Sequence, residues 1–159
     1  RFQVALGDAP PLVLWVGDEA SAVARHEVWY WTSRGFAFAV VPGAVGREER
    51  AAVAGASPED MAKHAAKGAN QLAKEGLVNG DKMCLFGAGS RGGVAAHALV
   101  NGMPFAAGAC LWSEIVSPLP AVAKPVAVLH GAADSKETLE MARKVHAMVR
   151  ESGACLWSE

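Results

Sequence analysis

Apolar residues in this chain fall into short runs divided by turn signals and by stretches of helical period. Pro11-Leu12-Val13-Leu14-Trp15-Val16-Gly17 is a continuous apolar run of strand length. A helical stretch carrying Val23, His26, Val28, Trp29 and Trp31 follows and stops near Arg34-Gly35. Phe36-Ala37-Phe38-Ala39-Val40-Val41 reads as the next strand, closed by Pro42-Gly43. Residues 43–57 read as a loop with charges at Arg47, Glu48, Glu49 and Arg50. Ser57-Pro58-Glu59-Asp60 then combines an N-cap serine, a first-turn proline and an acid at N3, a strong helix start. Met61, Ala65, Gly68, Ala69 and Leu72 recur at helical spacing, and Gly76 is the expected stop.

The alternation continues. Lys82 to Phe86 is a strand leading into a glycine-rich turn, and Val94 to Val100 is a helix of mostly small residues. Strands are expected over 108–113 and 124–131, an amphipathic helix over 136–151 through Leu139, Ala142, Val145, Met148 and Val149, and a short strand over 154–157. Strands joined by helical crossovers imply a mostly parallel sheet with helices on both faces, a three-layer α/β sandwich. Ligands bind such sheets beyond the carboxyl ends of the strands, where Gly17-Asp18, Ser90 and Asp134 fall. Gly108-Ala109-Cys110-Leu111-Trp112-Ser113-Glu114 recurs letter for letter as residues 153–159, but no further copy supports a repeat architecture.

Composition narrows the class. The 159 residues suit a single domain over 1–159 with a sizeable core. The chain opens on Arg1 instead of Met, which leaves room for a removed leader and for truncation at either end. Hydrophobic residues at 52% beside 19% charged suit a sheet buried on both faces. A net charge of −1 gives no footprint for nucleic acid or an anionic membrane. The apolar runs are strand-sized, too short for a membrane-spanning helix. Cys84, Cys110 and Cys155 each lie in a strand-like apolar run without metal-ligand spacing. They read as small buried hydrophobes in a reducing, cytoplasmic setting. The five tryptophans, beside a single tyrosine, read by default as core packing of sheet against helices.

The candidate chemistry lies in Gly87-Ala88-Gly89-Ser90-Arg91-Gly92, which fits two motifs at once. Read from Ala88 to Gly92 it is a nucleophile elbow with Ala88 in place of the usual first glycine. Such a turn needs small residues two before and two after the nucleophile, because the backbone passes close to both. Read from Gly87 it is the G-x-G-x-x-G phosphate fingerprint, with Gly87, Gly89 and Gly92 cradling NAD(P) or FAD and Glu114 on the ribose. A dinucleotide fingerprint usually opens its domain, whereas two strand–helix units precede this turn, so the elbow reading is preferred. A Gly-rich strand-to-helix turn without chemistry is the bland alternative.

From about Pro11 to Gly153 the chain resembles the catalytic core of an α/β-hydrolase, nearest the prolyl-oligopeptidase-like and dienelactone-hydrolase-like branches. Besides the elbow, three stretches carry the resemblance in the right order: Trp31 to Pro42, Gly76 to Lys82, and Lys124-Pro125 through His130-Gly131-Ala132-Ala133-Asp134. The resemblance implies a serine hydrolase acting on a small-molecule carboxylic ester or other acyl substrate, without cofactor or metal. Ser90 would attack the carbonyl and Asp134 would orient a histidine. Backbone amides of Arg91 and of Gly17-Asp18 would hold the oxyanion.

Departures qualify that expectation. The first strand ends Trp15-Val16-Gly17-Asp18 where the family often has His-Gly-Gly, and Ala44 stands near the place of an oxyanion tyrosine in the peptidase branch. The triad histidine would follow the last strand, but no histidine follows His146. His26, His64, His97 and His146 fall on helices and His130 on a strand end, where none is set to reach the serine. Asp134-Ser135-Lys136-Glu137 also reads as a helix cap. Weak or absent activity, an inactive remnant of the family and a designed scaffold are therefore alternatives beside the dinucleotide-binding reading.

Overall fold

The structure is a computed structural model that describes residues 8–17, 25–42, 57–88, 91–111, 124–129, 139, 140, 143, 144, 147, 150, 151 and 155–157. Its elements are β1 (Leu12–Gly17), α1 (Arg25–Thr32), β2 (Ala37–Pro42), α2 (Pro58–Lys74), β3 (Met83–Ala88), α3 (Gly92–Val100), β4 (Ala107–Leu111), β5 (Val126–Leu129) and β6 (Cys155–Trp157). The described residues between 139 and 151 are helical, and all of them except Leu139 are exposed. The six strands form one sheet in the order β2-β1-β3-β4-β5-β6, every pair parallel.

Period-two alternation sorts the strand residues into two different faces. Leu12, Leu14 and Val16 of β1, Met83 and Leu85 of β3, and Val126 and Val128 of β5 join one aliphatic core. Helices α2 and α3 cover it with Met61, Ala62, Ala65, Ala66, Ala69, Val94, Ala95, Ala96, Ala98 and Leu99. Alanines dominate that list, and their short side chains let both helices lie close to the sheet. The opposite face is aromatic. Phe86 meets Trp15 with ring centroids 6.4 Å apart and Trp31 of α1 at 5.4 Å, edge to face. Trp31 also packs edge to face on Phe36 and Tyr30, at 5.3 and 5.2 Å. Helices thus lie on both faces, as the alternation of elements implies.

Local signals explain where α2 begins and ends. Ser57 is extended, and its hydroxyl accepts from the Asp60 amide at 3.1 Å while donating to the Asp60 carboxylate at 2.8 Å. Glu75 caps the other end, and Gly76 follows at φ 71°, a left-handed conformation that glycine adopts without strain.

One expectation fails on α1. Val28 and Trp29 are exposed, Trp29 by 70%, so they are not core residues. The helix has eight residues, and of its aromatics Trp31 is the one that packs onto the sheet. Trp29 and Trp31 are two positions apart and cannot share a helical face. Val23 lies outside the described residues, as do Ala142, Val145, Met148 and Val149 of the expected amphipathic face.

The two copies of the repeated heptapeptide both supply strands, on either side of β5. Gly108 of the first copy faces Val126, whereas the second copy sets Cys155, two places further along, against Val126. The register then slips, with Trp157 against Ala127, so the second copy does not repeat the alignment of the first.

Among the described glycines the closest backbone approach is at Gly87. A Cβ there would run into the Arg91 carbonyl oxygen and stand 3.0 Å from Gly92 Cα. The first turn of α3 therefore folds directly back over the end of β3.

Two substitutions probe these features. Ser57→Ala removes the cap acceptor and is expected to lower stability by about 1 kcal/mol, read from the urea unfolding midpoint. Gly87→Ala forces backbone against a methyl group and is expected to cost about 1–3 kcal/mol, the range for overpacking, with loss of near-UV ellipticity. A variant as stable as wild type would mean that the turn opens freely.

Candidate active site

Because every strand pair is parallel, the carboxyl ends of all six strands lie along one rim of the sheet. Strand order reverses between β1 and β3: β2 lies outward of β1, and β4, β5 and β6 follow on the other side. Crossovers leave such a point in opposite directions and open a crevice, which is where α/β sheets bind ligands. The register sets Val16 beside Gly87, so β1 and β3 reach this rim together. The chain leaves β1 at Gly17 and β3 at Ala88.

Ala88, the last residue of β3, and Arg91, the N-cap of α3, are separated by Gly89 and Ser90 alone. Gly89 and Ser90 themselves lie outside the described residues. So do Asp18, Glu114, His130, Asp134 and His146. Of the expected site, the described residues are Gly17 at the end of β1, Gly87 in β3, Arg91 at the cap and Gly92 in the first turn of α3. These four are brought to one end of two neighbouring strands.

The start of α3 is built for close approach and for anions. Gly92 and Gly93 are buried, and the N-cap makes no side-chain hydrogen bond to the first-turn amides. Those amides and the helix dipole favour negative charge at this end. The Arg91 guanidinium reaches across to α2, where Nη1 donates to the Met61 sulfur at 2.8 Å. That contact ties the start of α3 to the first turn of α2.

Gly87 has a packing role that neither motif names. Sequence reading placed the steric demand two residues on either side of Ser90, at Ala88 and Gly92. The structure adds Gly87, whose missing Cβ makes room for the Arg91 carbonyl. A glycine three residues before the expected nucleophile was legible as a letter of the phosphate motif, but its role as a packing space needed the helix path.

Other nucleophile and base candidates fare poorly. Cys84 lies in the body of β3, and burial pushes its thiol pKa up, the reverse of an activated thiolate. His64 is exposed on α2, and His97 is the sixth residue of α3, more than a turn beyond the cap. Among the described residues there is no cluster of metal-ligating side chains and no helix long and apolar enough to cross a membrane.

No protein-family profile and no curated protein matches the sequence. Solved structures do match in shape. A puromycin-hydrolyzing peptidase of Mycobacterium tuberculosis superposes with a TM-score of 0.71 at 18% identity, over 94% of this chain and 30% of that one. A puromycin hydrolase matches with a TM-score of 0.56 at 26% identity, over 69% of this chain and 18% of that one. A dienelactone hydrolase-like promiscuous phosphotriesterase from metagenomic libraries matches with a TM-score of 0.68 at 19% identity, over 94% and 69%. The chain thus spans less than a third of the two puromycin-hydrolysing enzymes. With a parallel sheet that reverses between β1 and β3, helices on both faces and these structural neighbours, the chain has the fold of the α/β-hydrolase superfamily.

Proposed function

We propose that this chain is the catalytic core of a serine hydrolase that acts on a carboxylic ester or other acyl substrate. Ser90 is the nucleophile, Asp134 the acid that orients a histidine, and the amides of Arg91, Gly17 and Asp18 the oxyanion donors. The observation that carries the reading is the folding of the Arg91 carbonyl back over Gly87. A strand and a helix joined that tightly leave a two-residue turn at the rim, which is the setting a nucleophile elbow requires.

The neighbouring strands support the same assignment. Gly17 ends the strand beside β3, so an amide from its loop and the amide at the cap of α3 can face one oxyanion. The segment 130–134 leaves β5, which is two strands from β3. Two spacings are roughly 10 Å, a gap that an imidazole between carboxylate and serine can bridge. In the reaction, the Ser90 hydroxyl would pass its proton to that base as its oxygen attacks the acyl carbon. The oxyanion then sits against the amides until the alcohol or amine leaves, and water releases the acid. No histidine follows His146 in these 159 residues, and this reading assigns no base to Ser90.

Short p-nitrophenyl esters are therefore expected to turn over slowly. Removing triad members from well-studied hydrolases leaves roughly 10³–10⁴ over water, from the oxyanion hole and binding. A fluorophosphonate probe with intact-mass detection tests the serine directly. Slow, stoichiometric labelling that disappears in Ser90→Ala is expected, and labelling that persists in that variant would overturn the assignment of Ser90. Rapid labelling would reveal a base, to be found by replacing His130 and His146 in turn.

Under this reading Gly87, Gly89 and Gly92 serve a tight turn and not a pyrophosphate. NAD, NADP and FAD are accordingly expected to give no heat in calorimetric titration. Micromolar binding abolished by Gly89→Val would favour the dinucleotide reading, with Glu114 on the ribose.

A further inference from the structure

Trp15 is 8% exposed, and its indole N–H has no hydrogen-bond partner among the described residues. Buried indole donors ordinarily find an acceptor, and one that does not calls for an explanation. The position of this one supplies it. Trp15 and Gly17 are two residues apart in β1 and so share the aromatic face of the sheet. The indole lies along the strand over Gly17: Nε1 is 2.7 Å and Cδ1 3.3 Å from where a Cβ on Gly17 would stand. Any side chain larger than hydrogen at Gly17 would displace the ring. The N–H edge is thereby set against the last residue of β1, at the rim beside the carboxyl end of β3.

The surroundings define what such a donor can accept. Trp15, Phe86, Trp31 and Phe36 form a row of ring contacts that contains no charged residue. The cation nearest that row in sequence, Arg34, is stacked on Tyr30 at its outer end, 3.6 Å from the ring centroid. A neutral donor at the end of an aromatic wall matches a neutral acceptor attached to an apolar group. The aromatic wall itself offers an ionised group no counter-charge.

We infer that the Trp15 indole N–H is a substrate-binding donor at this rim, taking the carbonyl oxygen of an uncharged aryl ester or aryl amide. The inference rests on the reading of the rim as an acyl-hydrolase site and specifies the substrate class for it. Gly17 is then both an oxyanion backbone and the platform on which the indole lies. Trp15 thereby adds a side-chain donor to the carbonyl oxygen that the backbone amides also hold.

The test uses acetanilide, which carries an aryl ring and a neutral carbonyl, and the full chain labelled with 15N at its indoles. The chain has five tryptophans, and Trp15→Phe identifies the Trp15 indole signal by its loss. Acetanilide is expected to move that signal downfield in a saturable way, in wild type and Ser90→Ala alike. Toluene, which has the ring but no carbonyl, is expected to leave it in place. Trp15→Phe should weaken acetanilide binding by roughly 3- to 10-fold, the loss of one neutral hydrogen bond. Should that variant fail to fold, replacing the other four tryptophans one at a time identifies the Trp15 signal by elimination, and the wild-type titration then decides. A Trp15 signal that stays fixed up to the solubility limit of acetanilide overturns the inference, as does equal movement with toluene. Because the titration needs no reaction at Ser90, fluorophosphonate labelling judges the serine separately. Labelling without the indole shift rejects Trp15 and keeps the hydrolase; the shift without labelling does the reverse.

Discussion

The contact between the start of α3 and the end of β3 is the constraint from which the rest of the structure follows. The Arg91 carbonyl occupies the space where Gly87 would carry a Cβ. Only with that space empty can α3 descend onto the sheet within one turn of leaving it. Once it does, Val94, Ala95, Ala98 and Leu99 join the core that Leu85 belongs to and the helix lies against α2, whose buried positions are also largely alanine. Bulkier residues at these positions would hold the helices away from the strands. The turn and the small-residue faces are therefore one design: close backbone approach at the rim continued as close helix packing below it.

The two faces of the sheet divide the work. The face under α2 and α3 is aliphatic and fully buried, and in β3 its residues alternate with half-buried ones on the other side. That second face is aromatic and is covered by α1 through Trp31. Aromatic rings give large contact area with few rotatable bonds, so a short helix can be anchored by a single tryptophan. The same face carries Trp15 up to Gly17 at the rim. Rigidity beneath a binding rim is useful, because groups held by packing need no ordering when a ligand arrives.

Much of the architecture was legible in the chain. The strands near Leu12, Ala37, Met83, Gly108, Val126 and Cys155 are continuous apolar runs because a parallel sheet is covered on both faces. Ser57 and Gly76 marked the ends of α2 because capping is local chemistry, decided within four residues. Trp29 shows where such reading fails. Its apolar character placed it in the core, yet it is 70% exposed, because two residues along a helix turn a side chain by about 200°. Hydrophobicity identified the helix but not which of its tryptophans the sheet would accept.

For the candidate site the division is similar. The glycine turn, Ser90 after an apolar strand, and the His-Gly-x-x-Asp stretch after another are all features of sequence order. Order alone also implied a parallel sheet, since most of the strands are followed by a helical stretch. Which strands are neighbours was not contained in that order. Only the tertiary structure set β1 beside β3, with Val16 level with Gly87, and so brought Gly17 and Arg91 to one stretch of rim. Only it showed that Gly87 is required by a carbonyl four residues away and that Gly17 is overlain by an indole. Periodicity and caps are fixed by interactions within a few residues, whereas strand neighbours and close approaches are settled by how the whole apolar surface is buried at once.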